Sequence, residues 1–205
     1  CGTTLELGAG FGHNMRFPMH KLAFAFLAAT VALPAQDAWS TWLERTRQQA
    51  IDGDHVYVAD TENHLIRKLD LKAKTVKTIA GTGNQAGFMD TGGMGTFSPL
   101  NSPWDLVFLK GQLYIAMAGA HQVWVMDLGT TVFQPFAGSG KEGRIDGPLD
   151  KAAMAQPSGI TLSGSRLYFA DSEVSSIRYV DLDKKEVKTI VGNDLFVFGD
   201  VDGQG

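Results

Sequence analysis

Two short stretches of the chain gather side chains that could do chemistry. Asp60, Glu62, Asn63 and His64 stand almost side by side, and Asp171, Glu173 and Ser175 form a second set. His121 occupies a third place of the same kind. Carboxylates beside an imidazole can ligate a metal ion or carry a proton. The competing reading is architectural. An Asp carboxylate caps a tight turn, and Asn or His tolerates left-handed backbone there. The sequence shows no convergence of such ligands, so neither a metal nor another cofactor is expected.

Other candidates fail on spacing. Gly138-Ser139-Gly140-Lys141 ends like a phosphate loop, but Pro135 stands where its first glycine belongs. Pro157-Ser158-Gly159 lacks the flanking glycines of a nucleophile elbow. Asp90, Asp146 and Asp202 recur at one Gly-rich position and are expected to fold back onto their own turns. Asp200-Val201-Asp202-Gly203 resembles only the start of a calcium loop. Lys68, Lys72, Lys74 and Lys77, with Lys184, Lys185 and Lys188, read as solvated edge protection. The 205 residues carry 18 Lys and Arg against 22 Asp and Glu, a net charge of −4. No nucleic-acid partner is therefore expected. The single cysteine, Cys1, excludes an internal disulfide and a cysteine-based zinc site. Trp104 and Trp124 are assigned to the core; an exposed Trp would mark a contact patch.

The elements that must position these residues repeat. Three segments align without gaps: Val56 to Gly81, Leu113 to Gly138 and Leu167 to Gly192. Tyr57, Tyr114 and Tyr168 anchor them. From each anchor the same steps lead to His64, His121 and Ser175, then to Asp70, Asp127 and Asp181, then to the closing Gly. Pro103 and Pro157 precede the second and third copies; the first has Thr46 at that place and resumes the pattern at about Ala50. Within each copy the apolar period is two, in four short runs rich in β-branched and aromatic residues, with turns such as Lys110-Gly111 between them. Four antiparallel strands per repeat read as a β-propeller blade. One such meander cannot hide both apolar faces, so blades must stack. Tyr57, Val58, Leu113, Ile115, Leu167 and Phe169 are expected to form the inter-blade core. The second and third blades are complete and the first lacks its opening strand. The expected architecture is all-β, a partial propeller of about three blades over residues 50–205, with blades at about 50–81, 101–138 and 156–192.

Residues 1–49 stand outside the repeat. Arg16, His20 and Lys21 precede an apolar run over 22–33, expected to be helical and similar to a secretory signal spanning 15–38. The run is too short to cross a bilayer. If that signal operates, the protein is periplasmic or secreted; otherwise it is cytoplasmic. Leu5 to Asn14 resembles the glycine-rich first motif of methyltransferases, through Gly8, Gly10 and Gly12, but without the helix and acidic strand that the motif needs. The break near Gln49 suggests a fusion, a frameshift or a fragment end.

VYVADTENHLIRKLDL resembles an NHL repeat, with Asn63-His64-Leu65 as its signature. SPWDLVF, IAMAGAHQVW, FAGSG, AQPSG, ADSEVSSIR and FGDVDGQG are similar to thioredoxin-fused NHL-repeat proteins. That resemblance implies a six-bladed propeller in whole members and an upstream thioredoxin-like domain. This chain has no CxxC, so thiol chemistry does not carry over. Some NHL-like propellers are metal-dependent lyases or lactonases, and some bind RNA. The expected role is a protein- or peptide-binding scaffold, part of a larger thioredoxin-like NHL protein. The alternatives are a metal-dependent hydrolase or lyase, or the non-catalytic part of a redox protein. Binding is assigned to the turns carrying Asp60, Glu62, Asn63, His64, His121, Asp171, Glu173 and Ser175. Further blades, another domain or self-association must cover the open arc.

Overall fold

The computed structural model describes residues 50–87 and 90–192, together with Asp194, Leu195 and Val197. The signal-like run, the glycine-rich motif at Leu5 to Asn14 and Asp202 lie outside the described residues. Three antiparallel sheets follow one another along the chain. The first holds β1 (Ile51–Asp52), β2 (His55–Asp60), β3 (Leu65–Asp70) and β4 (Thr75–Ala80). After β5 (Gly93–Met94), the second is a meander of β6 (Pro103–Leu109), β7 (Gln112–Met117), β8 (Gln122–Asp127) and β9 (Val132–Ala137). After β10 (Gly147–Pro148), the third repeats it with β11 (Pro157–Ser163), β12 (Arg166–Asp171), β13 (Ser176–Asp181) and β14 (Glu186–Val191). This is a partial propeller of NHL type, built from the two-residue period as expected.

Turn chemistry fixes each register. Lys110 and Gly111 both have positive φ, 49° and 80°, and close a two-residue hairpin between Leu109 and Gln112. Between the third and fourth strands a recurring Asp caps the turn. Asp70 accepts from the amides of Lys72 and Ala73, Asp127 from Thr130, and Asp181 from Asp183 and Lys184. These bonds to the charged form hold all three carboxyls below their ordinary values.

Two details depart from the sequence reading. The first sheet does have an opening strand, reduced to the two residues of β1, where Ile51 pairs with Val56. The linkers are also not mere connections. β5 pairs with β9 and β10 with β14, so each linker runs along the outer edge of the sheet that follows it and covers part of that edge.

Two apolar layers hold the sheets together. Tyr57, Ile66 and Ala80 of the first sheet meet Leu106, Leu113, Ile115 and Phe133 of the second. Val107, Tyr114, Val123 and Ala137 of the second meet Ile160, Leu167, Phe169 and Val187 of the third. Burying one such large side chain is worth roughly 1.5–3 kcal/mol. Alternation along a strand sends successive residues to opposite faces, so every sheet has a rear face toward the previous sheet and a forward face toward the next. Val58 is a correction: it lies on the rear face of the first sheet and is exposed, not in an inter-blade layer.

Candidate functional site

The three turns between second and third strands are one structure made three times. Thr61–Asn63, Ala118–Ala120 and Ser172–Val174 are single 3-10 turns. Each ends on a left-handed residue: His64 at φ 52°, His121 at φ 53° and Ser175 at φ 45°. In each, that residue's amide donates to the carbonyl at the start of the turn, Thr61, Ala118 or Ser172.

The imidazoles fasten blades. Ser102 N–H donates to His64 Nδ1 at 3.1 Å, and Gln156 N–H donates to His121 Nδ1 at 3.3 Å. Ser102 and Gln156 are the residues before Pro103 and Pro157, and both have positive φ, 54° and 61°. Each histidine of one blade therefore accepts the amide that opens the next. The ring must carry its proton on Nε2 to do so. Ser175 holds the corresponding place in the third turn. We expect His121→Asn, which keeps a residue tolerant of left-handed backbone, to cost about 1–2 kcal/mol through the lost bond. His121→Ala should cost more, because alanine adds backbone strain at that φ. Urea unfolding of the two variants checks both values.

The carboxylates Asp60 and Asp171 are also engaged. Arg67 Nε donates to Asp60 at 2.9 Å, and Asn63 Nδ2 donates to the other Asp60 oxygen at 2.7 Å. Arg178 Nη1 donates to Asp171 at 2.7 Å, both side chains being wholly buried, and the Ala155 amide donates to Asp171 at 2.7 Å. Burial pushes the Asp171 carboxyl above its ordinary value, and Arg178 pulls it back. Glu173 accepts from Gln156 Nε2 within the third repeat. Burial, and then the Glu142 carboxylate, push the Glu173 carboxyl up. Glu62 and Asn63 remain exposed. The structure thus brings Asp60 and Asn63 together in one cluster, and His121 near Asp171 at the junction of the second and third sheets. Among the described residues no three His, Cys, Asp or Glu side chains are placed to hold a metal ion.

Sequence reasoning missed the partners of these groups. Arg178 is the centre of a network: it donates to the carbonyls of Ala153 and Ile145 and to Asp146 at 3.1 Å. Asp146 in turn accepts from Thr189 Oγ1 at 2.8 Å and Thr189 N–H at 2.9 Å. Asp146 was expected to bind its own turn; instead it ties its linker to the third sheet. Asp90 does bind its own turn, accepting from the Gly87 amide at 2.8 Å. The second sheet explains the difference. Where the first and third copies have Asp, Arg and Thr (60, 67, 78 and 171, 178, 189), the second has Met117, Trp124 and Pro135. Asp90 therefore has no guanidinium or hydroxyl to reach there. That joint replacement was the available signal.

Two further residues mark the inner strands. Asp105 Oδ2 accepts the Ile160 amide at 2.9 Å, joining β6 to β11, and burial raises its carboxyl. Trp104 sits in a β-bulge between Pro103 and Asp105 and is 43% exposed, whereas Trp124 is 2% exposed. The bulge re-aims the Trp104 side chain away from the core to which it was assigned.

Comparison with known proteins agrees with this architecture. The family model for the NHL repeat matches residues 50–69. NHL repeat-containing protein 2 of Gallus gallus is 44% identical over 185 residues, covering 76% of this chain and 25% of that protein. The Homo sapiens protein is likewise 44% identical, with 26% of it covered. Protein SUPPRESSOR OF QUENCHING 1, chloroplastic, of Arabidopsis thaliana is 42% identical over 161 residues, covering 73% of this chain and 15% of that protein. The chain thus spans about a quarter or less of the length of these curated relatives. A solved Bacteroides thetaiotaomicron protein of unknown function superposes with a TM-score of 0.58 at 22% identity, over 76% of this chain and 38% of its own. Repeat, blade and sequence agree that the chain belongs to the NHL-repeat family.

Proposed function

We propose that the chain is a binding module and that a protein or peptide docks on the face carrying the three 3-10 turns. One observation carries this reading: Trp104 stands exposed at the start of an innermost strand, on that face. Thr61 Oγ1 donates to the Pro103 carbonyl at 2.8 Å, which places the first turn beside Trp104. Ser158, the counterpart of Trp104 in the third sheet, accepts from Ser172 Oγ at 2.9 Å. An exposed aromatic ring next to the residue that the first turn's Thr61 holds offers apolar area at a polar turn, the composition of a contact patch. The histidines and buried carboxylates act one layer below, as supports. The chain spans about a quarter or less of its curated relatives, which supports reading it as the propeller part of a larger NHL-repeat protein. Among the described residues no helix is long and apolar enough to cross a membrane.

A displayed random-peptide library panned against the full chain tests the site. Enriched peptides should bind Trp104→Ala at least about tenfold more weakly and Lys77→Ala, on the outer strand β4, equally well. Peptides that bind all three proteins alike, or a library that yields none, would overturn the assignment.

A further inference from the structure

Two equivalent contacts between a linker and a 3-10 turn carry different chemistry. Gln85 and Glu142 hold one place in successive linkers. Each stands four residues after the glycine that closes a repeat, and each forms a parallel bridge, Gln85 with Leu100 and Glu142 with Met154. At the second turn the contact is uncharged. Gln85 Nε2 donates to Asn101 Oδ1 at 2.9 Å, and Asn101 Nδ2 donates to the Gly119 carbonyl at 3.0 Å. At the third turn Ala155 stands in the place of Asn101 and Glu173 in that of Gly119. The side chain that fills the contact now comes from the turn, and it carries a carboxylate. The Glu142 carboxyl lies within hydrogen-bonding reach of it. One Glu173 oxygen accepts from Gln156 Nε2; the other, Oε2, is buried and has no donor among the described residues. Two ionised carboxylates only accept, so a bond between them requires that one keep a proton.

We propose that Glu142 and Glu173 share one proton and so form a pH-sensitive latch between the linker and the third turn. The protonated carboxyl donates to its neighbour and holds the linker where the Gly143 N–H meets the Met154 carbonyl at 3.2 Å. With both groups charged, like charges face each other across a partly buried contact, and the linker loosens. The surroundings push the same way. Asp171 of β12 adds a further negative charge. Arg178 of β13 commits both Nη groups to Asp171, Asp146 and two carbonyls. His121, from the second turn, acts on Asp171. Gln156, just before β11, brings a donor without charge. Burial raises the Glu173 carboxyl first, and Glu142 raises it further. A carboxyl raised in the folded state stabilises fully below its unfolded value of about 4.3, and that stabilisation is lost as pH rises through the raised value. The latch is therefore closed in acid and opens as pH rises. It stands independently of the peptide site.

Amide hydrogen exchange of the full chain tests the latch, with Gly143 as reporter and Ala86 as internal control. The Ala86 N–H donates to the Leu100 carbonyl at 2.9 Å, the same bond at the uncharged contact. Corrected for the intrinsic pH dependence of exchange, protection at Gly143 should fall at least about threefold from about pH 4 to about pH 7, and protection at Ala86 should hold. Carbon NMR of the side-chain carboxyls should show the pair releasing its protons in two separated steps. Glu142→Gln installs at the third turn the amide that Gln85 supplies at the second. It should keep Gly143 protection level across the range and return Glu173 to a single step. Glu173→Gln repeats the test from the other side. Gly143 protection that tracks Ala86 in the wild type overturns the proposal. So does an equal fall in Glu142→Gln, or two carboxyls that titrate independently.

Discussion

Replacing Arg178 with alanine is expected to lower the unfolding free energy by about 3–5 kcal/mol. The guanidinium is wholly buried and joins four acceptors: the Asp171 and Asp146 carboxylates and the Ala153 and Ile145 carbonyls. Its removal leaves the Asp171 carboxylate buried without a counter-charge, which costs far more than an exposed ion pair contributes. A domain is stable by about 5–15 kcal/mol in all, so this one change consumes much of the margin. The second sheet predicts the rescue. Met117, Trp124 and Pro135 fill the equivalent ladder positions with apolar groups, and Met117 and Trp124 are buried. Pro135 is tolerated because the amide at that position points away from the neighbouring strand; in the third sheet the Thr189 amide goes to Asp146. The triple change Asp171→Met, Arg178→Trp and Thr189→Pro should therefore recover at least about half of the loss. Urea unfolding of the single and triple variants decides it. A triple variant no more stable than Arg178→Ala would mean that the apolar set depends on its own surroundings.

The lattice of strands was legible because its causes are local. The period of two, the Lys110-Gly111 hairpin and the Asp70, Asp127 and Asp181 caps each act within a few residues. The left-handed turn residues were legible for the same reason. The clasps were not. His64 meets an amide 38 residues on, His121 one 35 residues on, and Asp146 a strand 43 residues on. Those distances are set by how blades stack, and a single repeat contains no trace of its neighbour. Trp104 and Val58 failed for a related reason. Both have the composition of core, but one lies in a bulge and the other on a face that no sheet in the chain covers. The candidate binding list named the residues of the turns and left out the ring beside them. Most of its charged members are held by other groups of the protein. What could be read in advance was the copy-to-copy substitution of Asp, Arg and Thr by Met, Trp and Pro.

The glycine that closes each repeat should be the position least tolerant of a methyl group. Gly81 has φ +92°, and a Cβ there would lie 2.2 Å from the His64 carbonyl oxygen. Gly138 has φ +102° and the same approach to the His121 carbonyl at 2.9 Å; at Gly192 the Cβ would lie 2.5 Å from Ser176 Cα. The obstacle at Gly81 and Gly138 includes the backbone of the turn, which cannot rotate aside as a side chain does; at Gly192 it is Ser176, the first residue of β13. Gly81→Ala is therefore expected to cost about 3 kcal/mol or more, combining strained φ with displacement of the turn. Gly53→Ala is the control. Its φ is +58° and a Cβ would meet nothing within 4 Å, so only the backbone strain of about 1–2 kcal/mol applies. Equal losses for the two would show that the outer strand does not press on the turn. The same displacement moves His64, whose ring holds the Ser102 amide of the next blade. Combining Gly81→Ala with His64→Asn should then cost less than the two changes separately, because the first has already opened the clasp that the second removes.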